Sequence, residues 1–449
     1  MQWNHQKLYI SRMGFCMIEE YLKNQEKEIM FYKNIDSLLC DNWFKEELYD
    51  LHFKNQSKLL ISDAELIRLE SKIRKCIFQK NVETTYKSAV KRKDWFESTP
   101  FDYERALPPE LLEKKFLERY DTKPRFITLY RSGMSAIYAA FAVIASLWRN
   151  IDTIGLNVLA YYFETKTLVA AYVDNRHYKC KELISPVELY DSLENDDGAS
   201  LFFIEMMDVN MRQEKVQVSL IRQALLNRKS KKPLILVLDN TLVFEEFDIT
   251  KILEALPNNI IIITVRSGIK LEQLGLELSN LGILEFYSNN DNISYDEIKR
   301  TFSIFRSVTG LSISYSDEKI LLSNLFKKDL ILEYCRGIKH NTRKLYMAIK
   351  DIVSSPIKET LYLENSPFIL IILDRTEQTE YDDFVQKIVN YIKEKSGEIV
   401  CGTSFGFRHT RIERISYSET SHSIRISPGY YWGLSCDLLI QFFNDSMKG

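Results

Sequence analysis

The chain has 449 residues, of which 45% are apolar and 27% charged, so general disorder is excluded and about three ordinary domains, or two large ones, can form. Lys plus Arg number 60 and Asp plus Glu 62, a formal net charge of −2, which argues against a nucleic-acid or anionic-membrane partner. No apolar run reaches the roughly 20 residues of a membrane-spanning helix. The start, Met1-Gln2-Trp3-Asn4-His5-Gln6-Lys7, opens no signal sequence. Seven scattered cysteines without a Cys-x-x-Cys pair fit a reducing, cytoplasmic compartment. No metal site can be read, since no His-Glu-x-x-His occurs.

In chain order, residues 1–100 read as a helical N-terminal extension. Leu59-Leu60-Ile61 and Leu66-Ile67 recur near helical spacing, and Ser62 three residues before Glu65 marks a capped helix start. From about residue 125 short apolar runs alternate with helical stretches. Strands are predicted at 156–161, 201–205, 234–238, 260–265 and 283–286, rich in Val, Ile and Phe with little polar alternation. Helices are predicted between them at 135–147, 186–193, 213–228 and 249–256. This alternation predicts a large α/β domain over 101–325, with a mostly parallel sheet sandwiched by helices. Residues 326–449 read as a smaller α+β domain: helices first, then strands at 368–373, 398–404 and 423–426, with an amphipathic helix at 382–395.

Ligands of open α/β sheets sit beyond the carboxyl ends of the strands, so residues there are the candidates. Asp239-Asn240-Thr241 follows the run at 234–238. A buried acid is costly unless paired, and a protonated ring nitrogen is a suitable partner. Lys270 lies just past the run at 260–265, in Arg266-Ser267-Gly268-Ile269-Lys270, where desolvation would suit a Schiff-base lysine. Ser132-Gly133-Met134 turns into a helix whose N-terminal amides suit a phosphate. Tyr162 is an aromatic placed to stack on a flat ring. Taken singly, these are the ordinary residues of caps, turns and packing. Together they supply partners for the phosphate, ring face, ring nitrogen and aldehyde of pyridoxal 5′-phosphate (PLP).

These segments also carry a family likeness. From about residue 101 onward the chain resembles the PLP-dependent enzymes of Cys/Met metabolism, the cystathionine γ-synthase-like branch of the aspartate-aminotransferase fold, fold type I. Ser132-Gly133-Met134-Ser135-Ala136-Ile137 is similar to the family's phosphate loop Ser-Gly-Met-Ala-Ala-Ile. Tyr162-Phe163-Glu164-Thr165 resembles Tyr-Gly-Gly-Thr, whose Tyr stacks on the ring, and Val237-Leu238-Asp239-Asn240-Thr241 resembles the segment whose Asp meets the ring nitrogen. Ser267-Gly268-Ile269-Lys270 resembles Ser-x-Thr-Lys, which ends on the Schiff-base lysine. Tyr103-Glu104-Arg105 resembles the Tyr-x-Arg that reaches the phosphate of a neighbouring subunit. Ile424-Arg425-Ile426-Ser427-Pro428-Gly429 resembles the segment whose Arg holds the substrate α-carboxylate, and Ser404-Phe405-Gly406 resembles the Ser-Leu-Gly before it.

There are departures. Ile269 stands where the family has Thr or Ser, and Leu274-Gly275-Leu276-Glu277 replaces a Gly-Gly-His. The family's Glu-x-Pro-x-Asn-Pro survives only as Glu205-Met206-Met207-Asp208-Val209-Asn210.

The resemblance implies a seven-stranded-type, mostly parallel large-domain sheet, PLP on Lys270, and an amino-acid substrate held by Arg425 and Ser404. It also implies a homodimer or homotetramer in which Tyr103 and Arg105 complete a neighbour's site. The expected activity is elimination or replacement at Cβ or Cγ. An aminotransferase or decarboxylase on the same fold is the alternative, as is a non-catalytic binding protein that kept the fold. Arg425 has no acid nearby in sequence. Lying between Ile424 and Ile426 on a strand, it is expected to turn away from the core they enter, toward the cleft.

Overall fold

The computed structural model describes residues 15–59, 61–81, 109–120, 122, 124–147, 154–174, 178–195, 198–210, 214–243, 246–254, 256–323, 327–352, 355–402 and 404–445. Tyr103 and Arg105 lie outside the described residues.

Helices α1 (Phe15–Leu39), α2 (Lys45–Gln56) and α3 (Asp63–Asn81) come first. The expected cap of α3 is present: Ser62 N donates to Glu65 Oε2 at 3.0 Å, and Glu65 N donates to Ser62 Oγ at 3.3 Å. After α4 (Glu110–Leu117) the α/β alternation begins: β1 (Phe126–Tyr130), α5 (Gly133–Leu147), β2 (Ile154–Leu159), α6 (Phe163–Asp174), β3 (Tyr178–Glu182), α7 (Pro186–Asn195) and β4 (Leu201–Glu205). It continues through α8 (Val218–Asn227), β5 (Leu234–Asp239), α9 (Thr250–Leu253), β6 (Ile260–Ser267) and β7 (Gly282–Ser288) to α10 (Tyr295–Thr309) and α11 (Tyr315–Leu321). The last stretch is α12 (Lys328–Ile349), β8 (Ile357–Leu361), β9 (Ile369–Leu373), α13 (Gln378–Glu394), β10 (Val400–Cys401), β11 (Arg411–Ser416), β12 (His422–Ser427) and α14 (Leu434–Asp445).

The described residues fall into two compact units. The α/β unit lies within Glu83–Ile269 and Ser279–Leu322. Its seven-stranded sheet runs β1-β7-β6-β5-β4-β2-β3. Neighbours from β3 across to β6 are parallel, and β7 is antiparallel to both β6 and β1. The central strands are unbroken apolar runs because helices cover both faces: Leu201 to Ile204 and Leu234 to Leu238 are all buried. α5 enters the same core through Ala136, Ile137, Phe141 and Ile144.

The second unit lies within Met1–Val82, Lys270–Leu278 and Ser323–Gly449. Its five-stranded sheet runs β10-β11-β12-β9-β8. Ile369, Ile371, Ile412, Ile424 and Ile426 form the core with α13 and α14. Helices α1 to α3, read from the sequence as an N-terminal extension, are grouped with this α+β unit. The reason is buried polar pairing. Arg408, on the loop before β11, donates to both carboxylate oxygens of Glu28 in α1 at 2.6 Å each. His409 meets Glu70 of α3 at 3.0 Å, and Ser435 Oγ donates to Asp63 at 2.7 Å.

Four strands, β1, β3, β8 and β11, escaped the sequence reading. β3 (Tyr-Lys-Cys-Lys-Glu) and β8 (Ile-Lys-Glu-Thr-Leu) lie at sheet edges and are largely polar, while the search was for continuous apolar runs. Among the described residues of the strand expected at 398–404, only Val400–Cys401 is strand.

Candidate active site

In the α/β unit the candidates gather where strands end. β1 and β6 flank the start of β7, with both Tyr130 and Ser267 registered on Gly282. A side chain at Gly282 would put its Cβ 1.9 Å from Ser132 O, so glycine lets the Ser132–Gly133 turn cross here. Gly133, the first residue of α5, is equally confined: its Cβ would lie 3.0 Å from Ser267 N. Ser132 Oγ accepts from Ser135 N at 3.1 Å and caps the helix. Ser132, Gly133 and Ser267 therefore form one small-residue corner at a helix N-terminus, with Met134 packed partly into the core beneath.

Asp239 ends β5, half-buried. Its Oδ1 accepts from Thr241 N at 2.9 Å and Thr241 Oγ1 at 2.6 Å, and Thr241 Oγ1 in turn accepts from Ser267 N at 3.0 Å. One chain of hydrogen bonds thus links the acid to the small-residue corner at the start of α5.

Glu205, the last residue of β4, is in register with Asp239. The sequence reading assigned it no role, although the same search of strand ends would have found it. Its Oε2 accepts from Tyr161 N at 2.5 Å and Tyr162 N at 2.8 Å. Its Oε1 is buried without a hydrogen-bond partner among the described residues. Burial, with the neighbouring Asp239 charge, pushes the Glu205 carboxyl up to about 7, against the pull of the two amides and the Thr165 hydroxyl. Two carboxylates on adjacent strand ends call for a proton or a cationic group between them. Tyr162 is 36% exposed, and its ring meets Phe163 edge-on at 5.0 Å. Asn210 donates to Tyr161 O at 2.8 Å.

In the α+β unit, Lys270 opens a turn. Its carbonyl accepts from Gln273 N at 3.3 Å and Gly275 N at 3.2 Å. Its Nζ lies 5.2 Å from the centre of the Phe405 ring. Gly406 follows with φ +81°, and a Cβ there would come within 3.0 Å of Leu271. Arg408 Nη1 donates to Leu274 O at 3.2 Å, so the guanidinium fastened to Glu28 also steadies the lysine turn.

Arg425 meets the same ring, its Cζ 5.4 Å from Phe405 and 5.2 Å from Phe368. Ile424 and Ile426 are fully buried in the core, and Arg425 takes the opposite face as expected. One expectation is corrected. Arg425 does have an acid, not close in sequence but directly across the strand pair: Glu413 on β11, in register with it. Nε donates to Glu413 Oε1 at 2.7 Å, and Nη2 donates to the same oxygen. Burial raises the Glu413 carboxyl and the Arg425 charge opposes the shift. Ser404 precedes Phe405, half-buried.

Each unit therefore assembles its own share of the candidates. Ser132, Gly133, Met134, Tyr162, Asp239 and Ser267 belong to the α/β unit. Lys270, Ser404 and Arg425 belong to the α+β unit, the lysine and arginine on one phenylalanine.

The seven-stranded sheet and the separate five-stranded sheet are those of fold type I PLP-dependent enzymes. Among solved structures the chain is similar to a cystathionine γ-synthase from Xanthomonas oryzae pv. oryzae in complex with cystathionine, with TM-score 0.57 and 15% identity over 80% of this chain and 92% of that one. It is similar to a methionine γ-lyase from Micromonospora echinospora, with TM-score 0.55 and 14% identity over 81% and 92%. A third is a Campylobacter jejuni subsp. jejuni protein assigned as an O-acetylhomoserine (thiol)-lyase, which carries N′-pyridoxyl-lysine-5′-monophosphate, with TM-score 0.52 and 16% identity over 78% and 89%. No family model matches the chain. No curated protein matches it by sequence.

Proposed function

We propose that the protein is a PLP-dependent lyase or transferase that eliminates or replaces a group at Cβ or Cγ of an amino acid. The observation that carries this reading is the hydrogen-bond chain from Asp239 through Thr241 to Ser267, which is packed against Gly133. It joins an acid for a ring nitrogen to a helix N-terminus for a phosphate, and the two ends of PLP need these groups. The buried, unpartnered oxygen of Glu205 beside Asp239 fits the same group, because a protonated ring relieves two neighbouring carboxylates. Neighbours in fold include a γ-synthase, a γ-lyase and a lysine-linked pyridoxyl protein.

In this reading Lys270 supplies the amine that attaches the cofactor's aldehyde. The same Nζ would move the Cα proton of a bound amino acid. Asp239 keeps the ring nitrogen protonated by charge attraction. The amides of Ser132, Gly133 and Met134, with the Ser267 hydroxyl, hold the phosphate. Tyr162 stacks on the ring and can pass a proton. Arg425 grips the α-carboxylate with its planar fork, and Ser404 lines the same end. When bound, PLP supplies the electron sink for the charge left at Cα, which lets a substituent at Cβ or Cγ depart. The protein is at least a homodimer, with Tyr103 and Arg105 reaching the phosphate of the neighbouring subunit.

The test is product chemistry. The protein supplied with PLP is incubated with amino acids bearing different β- and γ-substituents, with no keto-acid acceptor present. Release of ammonia and a keto acid, or replacement of the substituent by an added thiol, is expected. Amino-group transfer only when an acceptor is added would make it an aminotransferase instead.

A further inference from the structure

Glu413 and Arg425 are registered partners on β11 and β12. Both are largely buried, with side-chain exposures of 7% and 12%. A guanidinium offers two forks, a side edge of Nε with Nη2 and an end of Nη1 with Nη2. A single oxygen of Glu413 takes the side edge through both its donors. The end is the edge that a second carboxylate would take. The plane of the group is fixed further by Phe368 and Phe405. On β11, Arg411 shares the face of Glu413 but is seated over the Phe407 ring, its Cζ 3.2 Å from the centre. Among the described residues it forms no ion pair with Glu413, although its charge also draws on that carboxyl.

We propose that Glu413 is the positioning and specificity residue of the substrate end: it holds Arg425 by its side edge, presents the end to a substrate α-carboxylate, and by its charge disfavours simple carboxylate anions relative to amino acids. The proposal rests on the PLP reading above. Its physical content is that the Arg425–Glu413 pair carries no net charge. A lone anion arriving at the open end meets the repulsion of Glu413 along with the attraction of Arg425. A zwitterionic amino acid gains from the fork geometry and carries an ammonium that offsets that repulsion. A lone arginine would bind either ligand by charge and set its own orientation at an entropic cost.

The experiment titrates the PLP-loaded protein with L-alanine, followed by the cofactor's visible band. It then competes L-alanine with propionate, which keeps the carboxylate and lacks the amine. In Glu413→Gln the amide oxygen can still accept from the side edge but the charge is gone. Propionate should bind at least about fivefold tighter, with a smaller change for L-alanine. In Glu413→Ala the fork is released, and L-alanine should bind about tenfold or more weakly while the ligand-free band stays that of the wild type. If the alanine variant does not fold, the glutamine variant decides alone. Wild-type affinities for both ligands in Glu413→Gln overturn the proposal and leave an ordinary cross-strand ion pair. A wild-type protein that develops no visible band with PLP fails the cofactor reading itself, whereas a normal band with unmoved affinities removes Glu413 alone.

Discussion

Glu205 and Asp239 end adjacent parallel strands, and the chemistry of each depends on the other. The folded-state value of Glu205, about 7, lies above its ordinary 4.5. The folded protein therefore holds a proton that the unfolded chain gives up, and stability present below about pH 4.5 is lost as the pH rises through 7. At about 1.4 kcal/mol per pH unit the loss is on the order of 3 kcal/mol. In the cofactor-free protein Glu205→Gln should therefore be more stable than wild type at pH 8 by up to about that amount, and equal to it at pH 4. Urea midpoints at the two pH values check this, and equal midpoints at pH 8 would mean that Glu205 ionises at no cost. For Asp239→Asn the expectation is kinetic: Cα deprotonation slows by about a hundredfold or more while substrate affinity changes little. Stopped-flow exchange of the Cα proton measures it, and near-normal exchange would make Asp239 a turn residue. As candidates, Asp239 and Lys270 were legible in sequence because they lie just past apolar runs, and Ser132 and Gly133 because they lead into a helical stretch. Glu205 was as local as these, at the end of the run at 201–205, but its pairing with Asp239 needed the register of β4 on β5, and the pairing of Glu413 with Arg425 needed β11 paired on β12. Both are facts of tertiary pairing that no local pattern states.

At the scale of elements, helix α1 has a larger part than its sequence announced. Its Glu28 takes both donors of Arg408, which also holds the carbonyl of Leu274 in the turn opened by Lys270. Removing one partner of a buried ion pair leaves the other charge uncompensated, at about 3–5 kcal/mol. Glu28→Ala should lower stability by that order in a thermal or urea melt. It should also loosen the Lys270 turn, seen as faster amide exchange at Gln273 and Gly275, whose N–H groups bond the Lys270 carbonyl. Unchanged protection there would confine α1 to a role in stability. The sequence reading made the N-terminal stretch helical without singling out α1, and the partner of its Glu28 lies about 380 residues along the chain, where no local pattern marks it. The buried strands β4, β5 and β6 were legible because burial on both faces demands unbroken apolar residues. β11, Arg-Ile-Glu-Arg-Ile-Ser, was not, since only Ile412 enters the core and most of its residues are polar.

On the scale of the whole molecule, the two units and their sheets account for the likeness to enzymes that share only about one residue in seven with this chain. Fold survives such divergence because it depends on apolar pattern and register, whereas activity depends on a handful of side chains. The assembly prediction belongs here. Arg105→Ala should raise the loss of PLP on gel filtration, with the protein eluting as a dimer or larger species. A fully active monomer would remove the neighbouring subunit from the site. The central claim is that Lys270 carries the cofactor, and one measurement addresses it directly. The PLP-loaded protein is reduced with borohydride, digested, and the peptide bearing the pyridoxyl group sequenced by mass spectrometry. The account predicts a single labelled site at Lys270, lost in Lys270→Ala. A label on a different lysine, or no reducible adduct at all, would contradict it.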